Sequence, residues 1–445
     1  MKRWVVFGLI ALAVIVLVSP GIVGKLAERN LRNSISWAEH ENEDLVVTEE
    51  RFERGWFTAL GRHRIELRNG IFGQAPGDSG EVPALVIDTR IDHGLVPLTS
   101  MGRDAGSLQP ALASTLSTIS LDLGDGQIVE LPGHLYSRIG LMGTTASRYA
   151  LEAGSFEGEE IRLEWRGADV RFTIDAAASA LGYEGRIEPL RYVEDDAAWS
   201  LGVIDFDGEQ EKTRYGFGTG KIALRMADAS FDVPVGGASG FGRLTFDGHS
   251  ELLGERVSGA SSIDIEDIVI PDFGTADFGF DLVVNRADAA SLQRIRESLD
   301  AVREAAEPEV GSGDVYPRIE KELQSLLRAG AELRVDRFEL ALPQGDVTAR
   351  LQFDLPGTDA AAGFSWPALL LALKASADIR LPAALVEMAQ EAHPEQAGAL
   401  VAMGILKREG DGYVVRAEYA QGLVTVNGAP MPIPLGTLSG SDPGN

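Results

Sequence analysis

The residue types that most often carry out chemistry are scattered along this chain. No two of its six histidines lie within five residues of each other, so the metal-binding spacings His-x-His and His-Glu-x-x-His do not occur. There is no cysteine, which excludes disulfides, thiolate zinc sites, iron–sulfur clusters and cysteine nucleophiles. We therefore expect no cofactor, no metal site and no catalytic residue of these kinds.

Three short segments are similar to ligand-binding or catalytic motifs but lack residues that those motifs require. Segment 216–221 (GFGTGK) lacks the spacing and the final Ser or Thr of a phosphate-binding loop. Segment 205–211 (DFDGEQE) has its glycine at the fourth position, whereas a calcium-binding EF-hand loop has it at the sixth. Segment 237–241 (GASGF) ends in Phe241 where a nucleophile elbow has glycine. All three are typical of strands and tight turns, so we expect a protein that is not an enzyme.

Acidic residues dominate the charged positions. Hydrolysis of an envelope polymer needs only a suitably spaced carboxylate pair, and 67 acidic residues guarantee such a pair, so this activity stays an alternative without a particular site. The net charge of −27 repels phosphate backbones and excludes nucleic acid as a partner. With 44% hydrophobic and 24% charged residues, the chain has the composition of a folded protein.

The N-terminal segment predicts an association with a membrane. Lys2 and Arg3 precede an uncharged stretch over residues 4–24, which as one helix is long enough to cross a hydrocarbon core of roughly 30 Å. Because the positive residues come first, we expect the N-terminus in the cytoplasm and the bulk of the chain across the membrane. A cleaved signal peptide is the alternative.

Beyond this segment, apolar and polar residues alternate in runs that end in Gly, Asp or Asn, which is typical of strands joined by hairpin turns. Helical spacing interrupts this pattern over 290–330 and over 382–406, with a break at His393-Pro394. The predicted fold class is α+β, predominantly antiparallel β in twisted or curved sheets of hairpins with a few helices, preceded by one N-terminal transmembrane helix. The predicted regions are a cytoplasmic n-region and anchor (1–24), a juxtamembrane helix and linker (25–45), a β-rich lobe (46–289), a helical insert (290–330), a C-terminal β-rich lobe with helices (331–436) and a disordered tail (437–445).

Six apolar residues mark one side of three predicted strands. They alternate with charged or polar neighbours and are predicted to lie on the apolar face of a sheet: Ile161, Leu163, Ile222, Leu224, Leu351 and Phe353. Such a face forms either a closed core or an open groove for lipid acyl chains. The alternation is the same in both cases, so both interpretations stay open.

Four short segments follow one another along nearly the whole chain: Arg54-Gly55-Trp56-Phe57, Leu282–Asn285, Leu340–Gly345, and the closing strands from Tyr413 to Gly428. Together they resemble the YdgA-like family of bacterial envelope proteins of unknown function. The resemblance implies an inner-membrane protein of Gram-negative bacteria with a periplasmic β-rich body, and it brings no catalytic residues. The overall plan is also similar to that of AsmA-like envelope proteins, some of which are linked to lipid movement.

Two interpretations of the aromatic pair Trp56 and Phe57 follow from the sequence. Either the rings contact the membrane surface or a partner, or Trp56 fills the end of the β core. For the whole chain we expect a non-enzymatic, single-pass inner-membrane protein with a large acidic periplasmic domain, acting in envelope maintenance and binding lipid on an apolar sheet face. A periplasmic interaction or assembly factor for an envelope protein is the alternative.

Overall fold

The computed structural model describes most of the chain after its first 44 residues. The described residues are 45–67, 84–93, 111–122, 128–158, 161–194, 197–233, 237–271, 274–304, 322, 324–357 and 366–431. The predicted anchor, juxtamembrane helix and C-terminal tail lie outside them, apart from Leu45. By contacts between Cα atoms the chain divides into unit 1, which ends at Thr213, and unit 2, which begins at Arg214. The lobes expected over 46–289 and 331–436 are a different partition and stay a prediction.

Antiparallel strands make up most of both units. Unit 1 contains β1 (Leu45–Arg54), β2 (Thr58–Leu67), β3 (Ala84–His93), β4 (Ala111–Asp122), β5 (Ile128–Gly140), β6 (Thr145–Leu151), β7 (Gly154–Glu157), β8 (Ile161–Trp165), β9 (Ala168–Ile174), β10 (Ala180–Ile187), β11 (Leu190–Glu194), β12 (Ala197–Leu201) and β13 (Ile204–Lys212). Unit 2 contains β14 (Gly218–Met226), β15 (Ala229–Val233), β16 (Gly237–Phe241), β17 (Arg243–Leu253), β18 (Arg256–Ile270), β19 (Gly274–Asp288), β20 (Ala331–Leu342), β21 (Gly345–Leu355), β22 (Lys374–Pro382), β23 (Lys407–Glu409), β24 (Gly412–Ala420), β25 (Leu423–Val426) and β26 (Ala429–Met431).

Helices are few and short in the described part of the chain. They are α1 (Ala289–Glu304), α2 (Trp366–Ala372), α3 (Ala383–Ala392) and α4 (Pro394–Ala402), with a further helical stretch over 324–329. The helix over 382–406 and its break at His393-Pro394 are thus confirmed as α3 and α4. Helix α1 begins where the Asp288 carboxylate accepts a hydrogen bond from the Ser291 amide at 2.9 Å, as at a helix N-cap.

The predicted fold class needs one correction. No helix among the described residues is long and apolar enough to cross a membrane, so the fold of the described residues is antiparallel β with a few helices. The longest described helix, α1, has 16 residues and carries charged side chains such as Arg294 and Glu297, which is typical of a helix at a protein surface. The span expected over residues 4–24 lies outside the described residues.

Unit 1 is built from two ladders of antiparallel strands. The first runs β1-β2-β3-β4-β5-β6-β9-β10-β13. The second is shorter and runs β7-β8-β11-β12. The chain leaves the first ladder after β6, forms β7 and β8, and returns at β9.

Unit 2 contains one long antiparallel ladder, in the order β14-β17-β18-β19-β20-β21-β22-β24-β25-β26. The last turn shows why its sequence suits a hairpin: Asn427 and Gly428, between β25 and β26, have φ angles of 52° and 82°. A tight hairpin turn with both central φ angles positive favours Asn-Gly, so the turn expected there is confirmed.

Buried apolar clusters are small and lie in separate places. In unit 1, Ala59, Ile91, Ala113 and Ile139 pack together on one face of β2 to β5. In unit 2, Val386 of α3, Leu406 and Tyr413 form a cluster where α3 packs against β22 and β24. Helix α3 therefore covers part of the long unit 2 ladder, at β22 and β24, and α1 contacts β19.

Candidate functional site

The long ladder of unit 2 separates apolar and polar side chains onto opposite faces. Residues paired across antiparallel strands point to the same side of a sheet, so the register shows which side chains share a face. One row crosses eight neighbouring strands and consists only of apolar residues, which we call the apolar row: Leu224, Phe246, Ile263, Phe280, Phe338, Ala349, Ile379 and Val415. Seven strand spacings of about 4.8 Å make this row about 34 Å long.

The neighbouring rows also consist mostly of apolar or small residues, and we call this side of the ladder the apolar face. One of them contains both Ile222 and Leu351, at opposite ends of the series Ile222, Gly248, Ser261, Leu282, Val335 and Leu351. Leu224 belongs to the apolar row, and Phe353 pairs with Leu333 one row further along the strands. The structure therefore places these four of the six predicted residues on one face.

The apolar face is not a buried core. None of the eight residues of the apolar row is buried, and Ile222, Leu333 and Phe353 are 37%, 41% and 44% exposed. Side chains between two closely packed sheets would be almost fully shielded from water. The residues of the row are thus half-buried, and exposed apolar side chains lie beside them on the same face.

Phenylalanines concentrate in the middle of this face. The rings of Phe278 and Phe280 are stacked with centroids 6.4 Å apart, and Phe338 meets Phe278 edge-on at 5.7 Å. These residues were absent from the predicted set, although Phe278 and Phe280 alternate with Asp277 and Asp281 in the way that marks a half-buried strand. Their proximity to Phe338 depends on a strand pairing that alternation alone does not reveal.

The opposite face of the same strands is held by charged groups. The Arg337 guanidinium donates from Nη1 to Asp264 Oδ1 at 2.6 Å and from Nε to Asp281 Oδ2 at 2.8 Å. The hydrogen bond from Arg337 lowers the pKa of the Asp281 carboxyl below its ordinary value, while partial burial acts in the other direction. The carboxylates of Asp281 and Asp264 raise the pKa of Arg337, so Arg337 and Asp281 form an ion pair near neutral pH.

Unit 1 shows the same separation of faces in its first ladder. Ion pairs lie along one side, where Arg148 pairs with Asp169, Arg171 with Glu184, and Arg186 with Asp205. The other side carries a row of small and apolar residues that ends in Leu135, Tyr149, Val170, Gly185 and Phe206. The Phe206 ring lies over Gly185, because a Cβ added there would meet ring carbon Cζ at 2.5 Å.

The remaining two predicted face residues lie in the shorter ladder of unit 1. Leu163 of β8 pairs with Phe156 on one side and with Tyr192 on the other, while the backbone of Ile161 pairs with that of Glu194. The Tyr192 ring stacks on Trp199 at 5.2 Å between centroids. Ile161 and Leu163 are therefore part of a different ladder from the other four residues.

Arg54, Gly55, Trp56 and Phe57 form the turn between β1 and β2. The Gly55 amide donates to the Thr58 carbonyl oxygen at 2.7 Å, which closes the turn. Trp56 is 61% exposed and Phe57 is 48% exposed, so the interpretation of Trp56 as a core residue is wrong. Contact of these rings with a membrane or a partner stays a prediction.

Titratable residues are not assembled into a reactive group in the described part of the chain. No cluster of three or more His, Asp or Glu residues there could hold a metal ion. His63 is buried, and its Nε2 lies 3.9 Å from Glu49 Oε2. Burial lowers the pKa of His63, with the Glu49 carboxylate acting in the opposite direction. The extended feature of the described residues that could contact a ligand is the apolar face of unit 2.

Comparison with known proteins gives one match. Residues 1–434 match the family described as "Bacterial protein of unknown function (DUF945)". No curated protein and no solved structure matches the chain. Since the match extends over nearly the whole chain, the protein belongs to this family of bacterial proteins of unknown function.

Proposed function

We propose that this protein is a non-enzymatic component of the bacterial cell envelope that binds lipid acyl chains on the apolar face of unit 2. The observation that carries the proposal is the apolar row, which crosses eight strands without one buried residue. A half-buried apolar row of this length, with exposed Ile222, Leu333 and Phe353 beside it, is costly in water unless a ligand or partner covers it.

Acyl chains suit this surface better than a small polar ligand does. The apolar row offers a length of about 34 Å with aliphatic residues at both ends, Leu224 and Val415, and aromatic residues at its centre. Each methylene group that leaves water contributes about 0.8 kcal/mol, so a long chain gains affinity along its whole length. The charged face behind the row stabilises the strands without competing for the ligand.

The location is part of the same proposal. The resemblance to YdgA-like proteins of Gram-negative bacteria supports a place in the periplasm at the inner membrane, and the plan similar to AsmA-like proteins supports a role in lipid handling. The periplasmic location and the role in lipid handling are both proposals, whereas the family membership is shown by the match.

Native mass spectrometry of the full chain, purified from a bacterial host in mild detergent, tests lipid binding. We expect phospholipid to copurify and to be lost from the variant Phe353→Asp, which places a charge on the apolar face at an exposed position. The matched control is Gln352→Asp, which places the same charge at the adjacent residue on the opposite face of β21. Lipid-free wild-type protein, or equal loss in both variants, would contradict the proposal and favour the role of a protein-interaction factor.

A further inference from the structure

Two turns of unit 1 expose large apolar side chains. The turn between β1 and β2 carries Trp56 and Phe57, and the turn between β5 and β6 carries Leu141 and Met142. Their exposed fractions are 61%, 48%, 50% and 86%, respectively. We call these four residues the tip cluster.

The register places both turns at the same end of the first ladder. Thr58, the first residue of β2, pairs with Asp92 near the end of β3, and Ala111, the first residue of β4, pairs with Gly140 at the end of β5. His93 pairs with Ala113, which links the two hairpins at this end. The first turn joins β1 to β2 and the second joins β5 to β6, so the turn centres are four strand spacings, or about 19 Å, apart across the ladder.

Backbone hydrogen bonds hold both turns in place. The His93 amide donates to the Phe57 carbonyl oxygen at 2.9 Å, in addition to the bond that closes the first turn. In the second turn, the Gly140 amide donates to the Thr144 carbonyl oxygen at 2.8 Å. The Gly143 amide donates to the Gly140 carbonyl oxygen at 2.9 Å. The four apolar side chains are therefore attached to turns whose backbone is held by hydrogen bonds.

The local charge differs from that of the whole chain. Although the net charge is −27, residues 54–65 include three arginines and no acidic residue, and residues 131–151 include two arginines and no acidic residue. Arg54 and Arg138 are the basic residues nearest to the two tips. Arg62, Arg64 and Arg148 pair with Asp88, Asp122 and Asp169 on other strands of the ladder. Arg54 and Arg138 thus place a basic side chain close to each tip, which an anionic surface attracts.

We propose that the tip cluster is a membrane-contact edge, with Trp56, Phe57, Leu141 and Met142 inserted into the interface of an anionic lipid bilayer. Tryptophan is favoured at the level of the headgroups, and the other three side chains suit the adjacent acyl region. A bilayer accepts two apolar wedges that are about 19 Å apart, whereas a protein partner requires a continuous complementary surface. This inference is independent of lipid binding on unit 2, because it concerns different residues.

The absence of cysteine allows a direct test with single labels on the full chain. The variants Met142→Cys and Phe57→Cys would each carry an environment-sensitive NBD fluorophore, and the protein would be reconstituted with phosphatidylethanolamine–phosphatidylglycerol vesicles containing a shallow doxyl-labelled lipid. The matched control is Ile128→Cys, because Ile128 is 62% exposed and lies at the opposite end of β5.

We expect the doxyl lipid to quench labels at 142 and 57 roughly threefold more than the label at 128, because only the tips enter the interface. Replacing Trp56 and Leu141 with Ser should reduce quenching at 142 toward the level of the control. Equal quenching at all three positions would overturn the proposal. A blue-shifted emission at 142 without quenching would also overturn it, because that result indicates contact with protein. Undiminished quenching in phosphatidylcholine vesicles would overturn the preference for anionic lipid.

Discussion

Phe278 on β19 meets Phe338 on β20 edge-on, with ring centroids 5.7 Å apart and ring planes at 82°. Neither ring is buried, although both lie in the middle of a long antiparallel ladder. Aromatic contacts of this kind contribute about 0.5–1.5 kcal/mol and usually lie within a core. Here the contact lies between half-buried rings on the apolar face of the ladder.

Substitutions should distinguish this face from the true core of unit 2. Because Phe278 is only half-buried, we expect Phe278→Ala to lower the free energy of unfolding by only about 1–2 kcal/mol. Leu406 is buried beside α3, so Leu406→Ala should lower the free energy of unfolding by about 2–5 kcal/mol. Urea unfolding followed by circular dichroism measures both. An equal loss in the two variants would mean that the apolar face is shielded like a core.

The contact between Gly185 and Phe206 gives a second prediction. A Cβ at Gly185 would lie 2.5 Å from the Phe206 ring, so Gly185→Ala should destabilise the protein by about 1–3 kcal/mol through overpacking. Gly182, on the same strand, has nothing within 4 Å of the added Cβ, and Gly182→Ala is therefore the control.

The same unfolding midpoints test whether the ring is responsible. The double variant Gly185→Ala with Phe206→Leu should recover part of the lost stability, because a leucine side chain can move away from the new methyl group. No recovery, or an equal loss for Gly182→Ala, would place the cause elsewhere than in this ring contact.

A third prediction concerns Asp281, on the charged face of β19. Because Arg337 lowers the folded-state pKa of Asp281, ionised Asp281 stabilises the fold above its unfolded pKa, and this stabilisation is lost as the pH falls through the folded pKa. We expect wild-type stability to fall more steeply than that of Asp281→Asn as the pH is lowered below about 4.

Unfolding midpoints between pH 6 and pH 2.5 would show this difference. Asp247→Asn is the control, because Asp247 is 53% exposed and its ion pair with Arg225 is longer, at 3.6 Å. Identical pH profiles for the wild type and Asp281→Asn would show that the Arg337 cluster does not contribute through this carboxylate.

Local alternation allowed the strands and part of the apolar face to be predicted. Ile222 and Leu351 could be assigned to the apolar side of their own strands because residues alternate there, which is a property that the sequence displays directly. That the two residues lie in one row follows from the strand pairings. A bulge in β20 shows where prediction from alternation fails. Val335 pairs with Leu351 and Phe338 with Ala349, so Asp336 and Arg337 together stand opposite Arg350.

Because of this bulge, Val335 and Phe338 share a face although they are three residues apart. Strict alternation would place them on opposite sides, and the continuity of the apolar row was therefore hidden from the sequence. The pairing of β6 with β9 was hidden for a related reason, since the chain forms β7 and β8 before it returns to the ladder. The exposure of Trp56 depends on the position of its turn at the end of the strands. The alternation of apolar and polar residues does not reveal this position.

The most direct test of lipid binding uses a phospholipid with a photoactivatable diazirine at the end of one acyl chain. The full chain would be irradiated with this lipid in mild detergent, and the modified residues would be mapped by peptide mass spectrometry. We predict adducts on the apolar face, at residues such as Phe246, Phe280, Phe338 and Leu351, and their loss in Phe353→Asp. Adducts that are absent from these strands, or spread equally over the charged face around Arg337, would contradict the account.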